Sequence, residues 1–202
     1  FDWLVVCASL SDWAFLENQE FMRKIYEKYK EHFFSEERKL QQSQFWKLQY
    51  LISLAIVYFK KDILKVYNKI GATFREANDL EKYARIVQEE IDIVLKRFEK
   101  ESVAIREGYF WELSETKFSI REIVINELSR REQNKTYLIC ERSGDFYKVS
   151  ARRQDKTVDL PDLLRKLVCD FEDASAGGHI AAAGAIFPFN YKEEFKKRIG
   201  PL

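Results

Sequence analysis

The sequence predicts a mixed helix-and-sheet fold of the α+β (α/β) class, and three observations carry that expectation. Residues 17–104 show helical periodicity with no strong strand signal. Residues 105–202 alternate short strand-like and helical segments. The opening run Trp3–Leu10 is short and mostly apolar, in the manner of a buried strand of a parallel sheet. A chain of 202 residues can hold one good core or two modest domains. Its 46% hydrophobic and 33% charged residues describe a globular protein and exclude a disordered one. A net charge of +1 provides no global field toward nucleic acid, so any such binding must come from a local patch.

Ser11, Asp12 and Trp13 close the first run. An Asp at the C-terminal end of a parallel strand is where α/β folds place ligands and metals; the plainer alternative is that Asp12 caps the next helix. Glu17–Phe34 carries Phe21, Ile25, Tyr29 and Phe33 at four-residue spacing, one face of a helix. A further helix start is expected at Ser35–Arg38. Gln44–Ile70 reads as one long helix, apolar on most faces in its middle and therefore buried, with Gly71 as its C-terminal cap. The aromatic residues between Phe33 and Tyr67 fit either core packing or a partner-docking face. His32 lacks a metal-ligand companion one turn away and reads as a surface histidine. Ala77–Leu80 opens another helix that runs through Lys100, with Tyr83, Ile86, Val87, Ile91, Val94, Leu95 and Phe98 inside.

In the second half, residues 108–113 read as a strand and Ser119–Arg131 as a helix. A hairpin spans 135–153 with its turn at Ser143–Asp145. A helix over 159–171, a strand at Ala185–Pro188 and a helix over Tyr191–Arg198 follow.

The segment 177–184 is the most informative. Three of the seven glycines (Gly177, Gly178, Gly184) fall in these eight residues, beside His179, one of only two histidines. A glycine pair lets backbone approach a ligand closely, and an imidazole next to it offers a proton or hydrogen bond at a fixed spot. Ala182, Ala183 and Gly184 leave no bulk to block an incoming group. A phosphate or nucleotide end is the expected ligand; the bland alternative is a histidine that caps a turn. Upstream, Ser150, Arg152 and Arg153 end a strand. Alternation puts the two arginines on opposite faces, one toward a ligand and the other in solvent, and an Arg fork suits phosphate oxygens. Between Lys117 and Arg153 nine Lys/Arg face five Asp/Glu, a modest basic stripe. Tyr137, Phe146 and Tyr147 are interleaved with it and either stack bases or belong to the core.

Gly177-Gly178-His179-x-x-Ala182-Ala183-Gly184 resembles the signature of the DHH-associated domain, the C-terminal half of DHH-family phosphoesterases such as RecJ-type nucleases. Lys135-Thr-Tyr-Leu-Ile-Cys with Tyr147-Lys-Val-Ser-Ala-Arg-Arg153 resembles the family's hairpin ending in Ser-x-Arg, and Val158–Leu164 resembles the helix that follows. In layout the chain is most similar to the archaeal GINS-associated RecJ-like type. Leu4–Asp12 is similar to the last metal-binding motif of the DHH catalytic domain, whereas an Asp-x-Asp and the Asp-His-His motif are absent from these residues.

The resemblance implies three parts: residues 1–16 as the C-terminal edge of a DHH catalytic domain, 17–104 as a helical insertion and connector, and 105–202 as a small mixed-sheet substrate-binding domain. It implies that Asp12 is a catalytic carboxylate and ligates Mn²⁺ or Mg²⁺ in a two-metal site, with most ligands outside this chain. Gly177, Gly178, His179, Ser150, Arg152, Ala182 and Gly184 would bind substrate. The implied activity of the intact parent is a metal-dependent exonuclease on single-stranded DNA or RNA. The alternatives are an inactive module that binds GINS or the replicative helicase through the helical insertion, and a small phosphodiesterase of short oligonucleotides or cyclic dinucleotides.

Three scattered cysteines without a Cys-x-x-Cys pair predict a reduced, cytoplasmic protein. The longest apolar stretch, Tyr50–Phe59, is too short to span a bilayer, so no membrane partner is expected. A start at Phe1 without a basic leader predicts a fragment of a longer chain with no signal peptide.

Overall fold

A computed structural model describes residues 1–60, 62–71 and 73–200. The chain divides into two compact units, Phe1–Glu89 and Glu90–Leu202.

The first unit is helical: α1 (Asp2–Ser11), α2 (Gln19–Lys28), α3 (Glu37–Leu40), α4 (Gln44–Tyr58), α5 (Ile63–Tyr67), a 3₁₀ turn (Phe74–Leu80) and the start of α6 (Glu81–Glu101). The opening run is therefore a helix and not the expected strand. Trp3, Val6, Cys7 and Leu10 are its buried residues, the i, i+3, i+4, i+7 stripe of a core-facing helix. An apolar run this short fits a buried strand equally well by composition, and tertiary packing against α4 and α2 decides for the helix. Asp2 anchors its start, accepting hydrogen bonds from Lys28 Nζ at 2.6 Å and the Tyr29 hydroxyl at 2.8 Å.

Two further expectations shift. α2 stops at Lys28 and buries Met22 and Tyr26, one position round from the expected stripe: Phe21 is exposed and Ile25 only half-buried. Phe33 reaches the core from the segment after the helix, beyond the left-handed turn at Lys30. The expected long helix over 44–70 is two. α4 ends with Phe59 as its C-cap and Lys60 in the left-handed region, and the Asp62 carboxylate caps α5 by accepting from the Lys65 amide. Gly71 thus lies beyond the end of α5 and does not cap a helix that reaches Ile70.

α6 crosses the division between the units. Ala84, Val87, Ile91, Val94, Leu95 and Phe98 form its buried stripe, while Ile86, expected inside, is 36% exposed.

The second unit is built on a six-stranded sheet: β1 (Val103–Ile105), β2 (Gly108–Glu112), β3 (Thr136–Ser143), β4 (Phe146–Arg152), β5 (Ser175–His179) and β6 (Ala182–Pro188), in the order β1-β2-β3-β4-β6-β5. Every pair is antiparallel except β2/β3. A parallel pair requires a crossover, and α7 (Arg121–Arg131) supplies it. The β3–β4 turn places Gly144 at φ +61°, a left-handed turn conformation favoured by glycine. α8 (Leu160–Leu167), capped by the Asp159 carboxylate, and α9 (Lys192–Ile199) cover one face. The core there joins Phe110, Leu138, Tyr147, Val149 and Phe187 of the strands to Leu160, Leu164 and Phe195 of the helices.

On the opposite face α7 lies over β3 and β4, and Phe98 of α6 packs its ring on Trp111 and Tyr137. Beyond β4 on that face, β6 carries Ala182 and Gly184 and β5 carries Gly177, next to the strands β3 and β4 that α7 packs on.

Candidate substrate-binding face

Strand pairing sets the site. On the open face β4 presents Lys148, Ser150 and Arg152, β6 presents Ile186, Gly184 and Ala182, and β5 presents Ser175, Gly177 and His179. The register aligns them in three transverse rows: Lys148–Ile186–Ser175, Ser150–Gly184–Gly177 and Arg152–Ala182–His179. With the first turn of α7 they line an open trough of about 720 Å³. The turn of the β5–β6 hairpin is held down by two backbone bonds, Arg153 N–H to the Ala181 carbonyl at 3.1 Å and Leu160 N–H to the Ile180 carbonyl at 3.3 Å.

The middle row is made of a hydroxyl and two glycines, so the floor is backbone. Two adjacent glycines, Gly177 and Gly178, have different reasons to be there. Gly178 has φ +137°, and a Cβ on it would meet the Ala182 carbonyl oxygen at 2.4 Å, so the hairpin itself demands glycine. At Gly177 a Cβ would meet nothing within 4 Å. The fold does not require a glycine at that point.

At one end of the trough the charges are ordered before any ligand arrives. Arg152 donates to Asn126 Oδ1 at 2.9 Å, to the Ala151 carbonyl at 2.9 Å and to Glu122 Oε2 at 2.7 Å. The Ser150 hydroxyl donates to Glu122 Oε1 at 2.5 Å. Burial works against ionisation of Glu122, but the Ser150 hydroxyl and the Arg152 and Arg121 guanidinium groups outweigh it and hold the carboxyl below its ordinary range. Arg121 also donates to Glu141 at 2.6 Å. His179 stands exposed at the end of β5 with its ring free of any hydrogen bond among the described residues.

The structure brings together Ser150, Arg152, Gly177, Gly178, His179, Ala182 and Gly184, all of which line the trough. Asp12 is not among them. It belongs to the first unit, where it follows the helix α1 and not a strand end, and is exposed. Among the described residues no group of three or more His, Cys, Asp or Glu could hold a metal ion. The residues present thus do not by themselves fit a two-metal centre.

Arg153 departs from expectation. It is not a solvated surface residue: only 8% exposed, it pairs with Glu107 at 2.7 Å and Asp155 at 2.9 Å and donates to Thr136 Oγ1 at 3.3 Å. Tyr137 and Tyr147 are core residues, with Phe146 the exposed ring of the three. Glu122 and Asn126 were not expected at the site, and Lys148 was expected only as one of the cations of the basic stripe. Lys148 shares strand parity with Ser150 and Arg152, a signal that was there to be read; the helix residues carry no local signal. No helix among the described residues is long and apolar enough to cross a membrane.

Residues 112–200 match the DHHA1 domain. The match takes in both glycines, the histidine and the Ser-x-Arg strand of the trough. Solved structures share the fold over more of the chain. A DHH-domain member of a family of ribosomal proteins has a TM-score of 0.52 at 19% identity, covering 77% of this chain and 40% of that one. RecJ from Thermus thermophilus in complex with Mg²⁺ has a TM-score of 0.56 at 15% identity over 76% of this chain and 24% of its own, and the same protein is also solved with Mn²⁺. CDC45 from Entamoeba histolytica has a TM-score of 0.51 at 8% identity, with coverage of 78% and 37%. No curated protein sequence matches the chain. The DHHA1 match takes in under half of this chain, the wider fold is shared with DHH-domain structures, and the chain spans well under half the length of those structures.

Proposed function

We propose that this chain is the substrate-binding part of a divalent-metal-dependent, RecJ-like exonuclease acting on single-stranded DNA or RNA, of the archaeal GINS-associated type. One observation carries the reading: a backbone floor at Gly177 and Gly184 is flanked on a single open face by Ser150, Arg152 and His179. A phosphodiester lying there meets a guanidinium fork, a hydroxyl and an imidazole donor, with no side chain to hold it off the strands. On this reading residues 105–202 hold the strand and 17–104 form an insertion and connector. Residues 1–16 are the edge of a catalytic domain, in which Asp12 is one carboxylate of a Mn²⁺ or Mg²⁺ site whose other ligands lie beyond these 202 residues. RecJ bound to Mg²⁺ and Mn²⁺ supports the choice of metal.

The test is fluorescence anisotropy of a labelled single-stranded oligonucleotide with this chain and with His179→Ala, at two salt concentrations. Salt-sensitive binding that is lost in the variant supports the reading. Equal binding by both proteins, each shown folded by circular dichroism, overturns it.

The second reading, a catalytically inactive module docking on GINS or the replicative helicase, is favoured by one feature of the helical unit. α5 leaves Ile63 64%, Leu64 72% and Tyr67 54% exposed, a cluster of apolar side chains of the kind that marks interaction surfaces.

A further inference from the structure

Lys148 is the one cation of the trough that the site described above does not use. It is half-buried, lines the trough, and forms no ion pair or hydrogen bond among the described residues. Arg121 and Arg152, by contrast, are both engaged by Glu122. The acidic residue directly opposite Lys148 on β3 is Glu141, and its carboxylate is already taken by Arg121 at 2.6 Å. Lys148 thus has no carboxylate partner among the described residues and is left to pair with an anion from outside.

Lys148 and Arg152 stand four residues apart on one strand, roughly 14 Å along it. Arg152 cannot swing toward Lys148, because Asn126, Glu122 and the Ala151 carbonyl fix its fork at the far end. The two cations therefore address different points along a ligand, separated by the Ser150–Gly184–Gly177 row that has no bulk to lift it. One step further along the same face is Phe146, a 39% exposed ring at the start of β4.

We propose that Lys148 is a second phosphate contact and that the ligand lies lengthwise along β4. One phosphate sits at Arg152 and His179, another further along the strand at Lys148, and a base beyond that stacks on Phe146. The inference rests on the reading of the trough as a nucleic-acid face and narrows its substrate to oligonucleotides with at least two phosphates.

The experiment measures binding of labelled pentathymidylate to the 202-residue chain, and competition by thymidine monophosphate, for the wild type, Lys148→Ala, Lys148→Arg and His179→Ala. Lys148→Ala is expected to weaken pentathymidylate binding about tenfold and to lower the salt slope by about one, as removal of one phosphate contact does. Monophosphate competition stays unchanged and Lys148→Arg restores the pentamer. If Lys148→Ala binds the pentamer like the wild type while His179→Ala does not, the second contact is wrong and the trough reading stands. If Lys148→Ala weakens mononucleotide and pentamer equally, both cations serve one phosphate and the lengthwise arrangement is overturned. If His179→Ala binds as well as the wild type, the trough reading falls and this inference with it.

Discussion

The Ser150 hydroxyl on β4 donates to Glu122 in the first turn of α7 at 2.5 Å. The same carboxylate accepts from Arg152, so a protein anion occupies the two groups expected to meet a substrate phosphate. This arrangement orients the serine and the arginine but opposes a second negative charge. Glu122→Gln keeps an acceptor in place and removes the charge. It is expected to bind single-stranded oligonucleotide roughly three- to fivefold more tightly at low salt, the worth of one screened surface charge. An anisotropy titration decides; weaker binding would mean that orientation of Arg152 by the full charge matters more than repulsion.

Gly177 and Gly178 should separate stability from binding. Gly178→Ala puts a Cβ against the Ala182 carbonyl oxygen at a left-handed φ, and is expected to cost about 1–3 kcal/mol of stability. Gly177→Ala meets open space and should melt like the wild type, yet lose oligonucleotide affinity because the methyl group stands where the strand would lie. Thermal denaturation and anisotropy on both variants check this. Normal binding by a normally folded Gly177→Ala would mean that the ligand does not touch the floor.

How much of this was open to a reader of the sequence depends on how local the determining contacts are. The β3–β4 hairpin was legible because Ser143–Asp145 is a turn by its chemistry and the flanking segments alternate. The trough was legible in part, since alternation puts Ser150 and Arg152 on one face and the glycine-histidine run announces an unobstructed backbone. α1 was not legible as a helix: its short apolar run carries both periods, and only packing of Trp3 and Leu10 in the helical unit selects one. Glu122 was hidden for a different reason. It lies 28 residues before Ser150, and only the parallel crossover from β2 to β3 brings α7 over β4. The break at Lys60 was masked by apolar residues on both sides, which suit one long buried helix as well as two short ones.

The paired arginines should behave oppositely. Arg152→Ala removes the fork at the ligand end and should weaken oligonucleotide binding by about tenfold or more, with the melting midpoint shifted by only a few degrees. Arg153 is buried and ties the end of β4 to Glu107 and Asp155. Arg153→Ala should cost about 2 kcal/mol through lost charged hydrogen bonds and leave binding by the folded fraction intact. Urea denaturation alongside anisotropy tests the contrast, and the reverse pattern would reassign the ligand-facing arginine.

The same contact predicts a pH dependence. The Arg153 guanidinium, helped by the Thr157 amide and hydroxyl, holds the Asp155 carboxyl at about 2, below the ordinary aspartate value of 3.8. A carboxyl whose folded value lies below its unfolded one contributes stability above the unfolded value, and that contribution is lost as pH falls through the folded value. Asp155 should therefore support the sheet above about pH 4 and release it progressively toward about pH 2. The measurement is the thermal midpoint of the wild type and of Asp155→Asn at several values between about pH 6 and about pH 2. The wild type should start higher and lose more over the lower range, so that the two curves converge at the acid end. Coincident curves across the whole range would show that the Arg153–Asp155 pair contributes nothing to stability, and that Glu107 and Thr136 hold Arg153 without it.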